Sequence, residues 1–131
     1  MAGKEKRMAE KKPDKVVIFA THGGEDPERA TLPFVIGNAA LAMDAQVLVC
    51  LQASGVTLAT KGFYEHVFAP GFDSLKTLVD SFMEFGGTLL VCAPFVEQRH
   101  ITPEMLIEGA QLVKSGRAVQ EMLDATAILS Y

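Results

Sequence analysis

The chain has 131 residues, 49% of them hydrophobic and 21% charged, with 8% aromatic residues and no tryptophan. That length suits one domain with a real core, the composition carries no disorder signature, and no apolar run approaches the roughly eighteen residues of a membrane span. The net charge of −4 is uneven: residues 1–15 hold six basic and three acidic side chains, leaving an acidic body of net −7, which argues against a nucleic-acid surface built on phosphate neutralisation.

Residues 1–14 read as a flexible basic tail, and 15–131 as a single domain. Lys15-Val-Val-Ile-Phe-Ala20 is continuously apolar, the pattern of a strand buried on both faces. Thr21-His22-Gly23-Gly24 is a turn, and Asp26 before Pro27 reads as the N-cap of a helix running to about Met43. Its expected inward face is Leu32, Val35, Ile36, Ala39, Ala40 and Met43, with Pro33 as the place where the helix begins or kinks. Gln46–Leu51 is a second buried strand.

The stretch Gln52–Gly71 is long for a structureless loop, so it is locally folded or functional, with a short helix around Val56–Lys61. Phe72–Phe85 is an amphipathic helix with Asp73 as candidate N-cap and Leu75, Leu78, Val79 and Phe82 inward. Thr88–Cys92 is a strand, Pro94–Arg99 a short helix and Thr102-Pro103-Glu104 a turn. Ala110–Val113 is a weak strand, Ser115 caps a helix to about Leu123, and Ala125–Leu129 is the last strand. Strands alternating with helices predict an α/β fold, a three-layer α/β/α sandwich around a mostly parallel five-stranded sheet.

The turn after the first strand is neither GxGxxG nor GxxxxGK[ST], and Glu25, Asp26 and Glu28 would repel phosphate. That weighs against a nucleotide-binding, flavodoxin-like reading. His22, His66, His100 and the two cysteines have no CxxC or HExxH spacing, so neither metal nor cofactor is expected. No GxSxG elbow occurs. The N-terminus lacks the apolar stretch of a secretory signal, so a cytoplasmic location with reduced thiols is the expectation.

One feature is denser in chemistry. The strand Thr88–Cys92 delivers a thiol to its C-terminal tip, where open α/β sheets place their chemistry, and Pro94 can start a helix whose N-terminus favours thiolate. Arg99 and His100 lie about two helical turns on and could return toward the sulfur, His22 could sit near the same strand tips, and backbone N–H groups near Phe95 and Val96 would add to the field. Cys50, between Val49 and Leu51, reads instead as a core thiol.

From about Lys15 to Tyr131 the chain resembles the DsrE/DsrF-like sulfur-relay family, which includes the Tus-type carriers and YchN-like proteins. The resemblance rests on Ala20-Thr-His-Gly-Gly-Glu-Asp-Pro-Glu-Arg-Ala-Thr-Leu-Pro-Phe34, Ser54-Gly-Val-Thr-Leu58, Leu90-Val-Cys-Ala-Pro94 and Ser115-Gly-Arg-Ala-Val119. It implies a persulfide-carrying cysteine at Cys92 and a homo-oligomer, commonly a trimer or hexamer, with cysteines near subunit interfaces. Relatives often carry a second cysteine three residues on; here that position is Phe95, so the resemblance favours a single-thiol carrier.

The expected function is therefore an intracellular sulfur carrier or sulfurtransferase, with Cys92 taking sulfane sulfur from a donor protein or small persulfide and passing it to an acceptor thiol. Arg99, His100, Phe95 and His22 are the supporting residues. The alternative is a non-catalytic oligomeric module that binds a small ligand or protein at the strand tips.

Overall fold

A computed structural model describes residues 13–131; most of the basic N-terminal segment, residues 1–12, lies outside that range. Strands β1 (Lys15–Ala20), β2 (Gln46–Leu51), β3 (Thr88–Cys92), β4 (Gln111–Val113) and β5 (Ala127–Ser130) form one sheet in the order β4-β3-β2-β1-β5. Every pairing is parallel, so each connection must cross over the sheet. The apolar runs of β1, β2 and β3 are explained by burial on both faces.

The two covering layers are unequal. Helices α1 (Pro27–Ala42), α2 (Leu75–Glu84) and the short α3 (Ala93–Gln98) send Phe34, Val79, Phe82 and Val96 into a large core against Ile18, Val49, Leu89 and Val91. Phe34 and Phe82 meet edge-to-face at 5.6 Å between ring centroids, a geometry contributing about 0.5–1.5 kcal/mol beyond area burial. On the opposite face lie Val17, Leu48, Cys50, Leu90, Cys92 and Val113, with Ala118 packed on them. Ala118 is the buried residue of α4 (Ser115–Leu123), which spans this side.

Asp26 caps α1 as expected, its carboxylate accepting from Arg29 N at 3.2 Å. The inward face differs from the periodic reading. Ala30, Thr31, Pro33, Phe34 and Gly37 are buried, while Ala39 is exposed and Met43 is 83% exposed. Of the expected face, Ile36 and Ala40 do pack against the core. Close approach to α2 at Gly37, where a Cβ would sit 3.2 Å from the Phe82 ring, and Phe34 on that same ring turn the helix so that Ala30, Thr31, Phe34 and Gly37 face inward. Pro33 lies inside the helix; burying it with Phe34 offsets the hydrogen bond its missing N–H forfeits.

Ser74, not Asp73, caps α2, accepting from Thr77 N at 3.2 Å. Ser115 is the first residue of α4 rather than its cap, since the backbone carbonyl of Lys114 already accepts from Arg117 N at 3.1 Å. The segment after β2 is folded, with 3₁₀ turns at Ala53–Ala59 and Tyr64–His66; the first begins earlier than the short helix expected at Val56.

Helix α4 is tied to the base of β1 by charge. Lys15 Nζ lies 2.7 Å from Glu121 Oε2 and 3.1 Å from Asp124 Oδ2, and Arg117 Nε reaches Glu121 Oε1 at 3.2 Å. The hydrogen bond to Lys15 chiefly holds the Glu121 carboxyl below the usual carboxylate range, with burial opposing and Arg117 assisting. Glu121 in turn raises Lys15.

Candidate functional site

Cys92 is the last residue of β3 and the N-cap of α3, whose first turn contains Pro94. The chain thus leaves the sheet directly into a helix, and the thiol stands at the strand tip as expected. Its side chain belongs to the α4 side of the sheet, among Leu90, Val113 and Ala118, and is only 5% exposed. A reagent reaches it only when its cover yields.

The neighbour that matters is Cys50. Register pairs Cys50 with Leu90, so Cys92 lies two residues further along the adjacent strand and on the same face. Both cysteines are free thiols. Burial pushes the Cys50 thiol up to about 12, and the nearby Cys92 pushes the same way. Two apolar strands read one at a time show no such pair, because the stagger between β2 and β3 is written in neither.

The other expected residues are dispersed. Phe95 is partly buried and packs against both core clusters, including the one that holds Cys92. Arg99 is held on Phe95: its Nη1 donates to the Phe95 carbonyl at 3.3 Å and its guanidinium lies 5.9 Å from the ring centroid. His100 is exposed and adopts φ 54°, the left-handed conformation that ends many helices. The turn is closed by His100 N to Glu97 O at 3.1 Å and Ile101 N to Val96 O at 3.0 Å. The position of His100 is therefore explained by helix termination. His22 follows β1, two strands away from β3, with Nδ1 3.2 Å from Thr21 Oγ1.

The turn after β1 is closed on itself. Gly23 N donates to both Glu25 carboxylate oxygens, at 2.9 and 3.0 Å, so the N–H that a phosphate would need is taken by an anion already. Gly23 also has no room for a side chain: a Cβ there would meet Thr57 Oγ1 at 2.5 Å and Ser54 O at 2.7 Å. Among the described residues, no group of three or more His, Cys, Asp or Glu is placed to hold a metal ion. No helix among them is long and apolar enough to cross a membrane.

The described residues form a fully parallel five-stranded α/β sheet with helices on both faces and a buried thiol at the tip of β3. Comparison with known proteins agrees on the family: the DsrE/DsrF-like family model matches residues 14–131, and the chain belongs to that family. A curated relative, the uncharacterized protein MJ0760 of Methanocaldococcus jannaschii, is 32% identical over 109 residues, or 83% of this chain. The match covers 40% of that relative's length.

Solved structures show the same fold. The YchN protein of E. coli superposes with a TM-score of 0.76 at 18% identity, over 90% of this chain and 99% of that one. Protein MTH1491 of Methanobacterium thermoautotrophicum, of unknown function, gives 0.71 at 16% identity, over 88% and 98%.

Proposed function

We propose that this protein carries sulfane sulfur on Cys92 as a persulfide. The supporting observation is the position of that thiol, at the last residue of β3 where the chain turns into α3, in a chain of the DsrE/DsrF-like family. In the loading step the Cys92 thiolate attacks the outer sulfur of a donor persulfide R–S–SH, forming Cys92–S–SH and releasing R–S⁻. In unloading, an acceptor thiolate attacks that same outer sulfur and Cys92 leaves as thiolate. The sulfur changes hands without an external oxidant or reductant.

Phe95 lines the thiol's apolar surroundings and brings Arg99 along on its ring, so the cation acts at a distance through Phe95 rather than by gripping the sulfur. His100 and His22 are not needed for the step as drawn. The oligomer implied by the family resemblance fits the exposed apolar side chains of Val119, Leu123 and Ile128, and light scattering reads its size.

The test is mass spectrometry after treatment with a small persulfide donor. An adduct of about 32 Da, one sulfur atom, should form and be lost in Cys92→Ser. An adduct that survives the substitution, or none in the wild type, overturns the reading. The 5% exposure of Cys92 favours the second reading, a binding module in which the thiol only packs. That module would show no adduct and would alkylate no faster at Cys92 than a buried core cysteine does.

A further inference from the structure

We infer that the cleft between the last turns of α1 and α2 is a binding site for a small aromatic amine, an apolar ring bearing a protonated amino group. The site lies apart from the thiol. Helices α1 and α2 pack on the sheet face opposite Cys92, so the inference does not rest on the sulfur reading.

The sequence builds the cleft from two facing ridges. Asn38, Leu41 and Ala42 share one flank of α1 at helical spacing, and Ser81 and Phe85 do so on α2 and its cap. Together they line a cavity of about 310 Å³, at the lower end of the range that small-molecule sites occupy. Its floor is close-packed, because Gly37 lies so near the Phe82 ring that a Cβ would sit 3.2 Å from it. Leu41, Ala42 and Phe85 make most of the wall hydrocarbon, which suits a ring. Phe85 is 68% exposed, and its side chain is the wall that swings to admit a ligand and then cover it.

The polar wall calls for a donor. Asn38 Nδ2 donates to the Leu78 carbonyl at 3.0 Å, which fixes the sense of the amide. Its Oδ1 is left as a buried acceptor with no partner among the described residues. Unpaired buried acceptors are costly and rare in native proteins, and an N–H from a ligand relieves this one.

Charge selects an amine as that donor. No Lys, Arg or His lines the cavity, and neither helix has a basic residue in its last turn, so nothing there offsets the partial negative charge of the two C-terminal ends. Two carboxylates flank the lining in sequence: Glu84, three residues after Ser81, and Asp44, two after Ala42, both exposed. Neither forms an ion pair among the described residues. An ammonium group is favoured in that field, and a carboxylate is repelled.

The experiment uses phenethylamine as the probe and hydrocinnamate as an anion of similar shape, each followed by the backbone amide signals of isotope-labelled protein. The amine should give saturable shifts at Asn38, Leu41, Ser81 and Phe85. It should bind about five-fold or more tightly than the anion, the worth of one charge contact near water. Equal affinity for the two probes, or shifts centred elsewhere, overturn the inference. So does saturation only above about 10 mM, which marks an adventitious additive only.

Variants separate the cavity from the charge. Ala42→Phe, at an exposed position, should fill the cavity and abolish the shifts; Ser81→Leu fills it from the other helix if that protein does not fold. Shifts that survive the filled cavity overturn the site. Asp44→Asn combined with Glu84→Gln should bring the two affinities together, and a gap that persists overturns the choice of an amine. No sulfur donor enters these measurements, so their outcome is independent of whether Cys92 carries sulfur.

Discussion

Lys15 enters the sheet at the base of β1 and meets Glu121 of α4 across 2.7 Å, with only 9% and 14% of the two side chains exposed. This pair joins the helix over the thiols to the opposite end of the sheet from Cys92. Both partners are mostly out of water, and each has a second partner: Asp124 for Lys15 and Arg117 for Glu121.

Glu121→Ala should therefore destabilise the fold by about 1–3 kcal/mol, more than an exposed pair is worth but less than a fully buried one, since Lys15 keeps Asp124. The pH dependence has a definite sign. The carboxyl of Glu121 is held below its ordinary value, so its contribution is complete above the unfolded value of about 4.3 and is lost as pH falls through the lower folded one. Chemical denaturation of wild type and variant between mildly acidic and neutral pH checks both: the two stabilities should converge on acidification.

The same substitution should change access to Cys92. The thiol is 5% exposed and Ala118 is the buried residue of the helix above it, so little apolar contact holds α4 down. Loosening the ion pair should raise the native-state alkylation rate of Cys92 several-fold, on the order of the shift in a local opening equilibrium. Peptide-mapped labelling against time reads it; an unchanged rate would mean that reagents enter by another route.

Cys50, pushed up to about 12, makes an alkaline prediction. A thiol harder to ionise when folded contributes stability that is complete below the unfolded value of about 8.5 and is lost as pH rises toward the folded one. Stability should fall from about pH 9 upward, ahead of the Lys15 contribution, which persists to above about 10.4. In Cys50→Ser the early part of that fall should disappear, as measured by denaturant midpoints.

Gly55 is a point of backbone contact. A Cβ there would run into the carbonyl oxygen of Ala20 at the tip of β1, and neither the strand end nor the buried 3₁₀ turn can give way cheaply. Gly55→Ala should cost about 1–3 kcal/mol by overpacking. A thermal melt shows it as a drop of several degrees; an unchanged midpoint would mean the 3₁₀ turn shifts freely.

His100→Gly tests whether this side chain does chemistry or only ends a helix. With φ at 54°, glycine relieves a conformational cost, and stability should stay level or rise by up to about 1 kcal/mol. Sulfur loading of Cys92 should be unaffected. A large loss of loading would return His100 to the site.

Much of this molecule is legible one segment at a time. The buried strands Lys15–Ala20, Gln46–Leu51 and Thr88–Cys92 announce themselves by unbroken apolar runs, and Asp26-Pro27 announces the start of α1. The parallel sheet follows because helices must lie between such strands, and the family likeness follows from short motifs at their ends. The thiol at the tip of β3 is equally local, since Pro94 turns the chain into a helix directly after it.

What periodicity missed were the places where a neighbour decides. Phe34 and Gly37 of α1 face inward because α2 comes close there, with Phe82 packed on both. Spacing alone lets Arg99 and His100 turn back toward the strand tip, whereas the short α3 sets Arg99 on Phe95 and is followed by His100 in a left-handed turn. The sequence by itself determined the fold class, the family and the thiol at the strand tip, because each is carried by residues near one another in the chain. Only the tertiary structure decided that Cys50 and Cys92 share one face of the sheet and that α4 packs over it. Inter-strand register and helix docking depend on contacts between distant segments, and no local pattern records them.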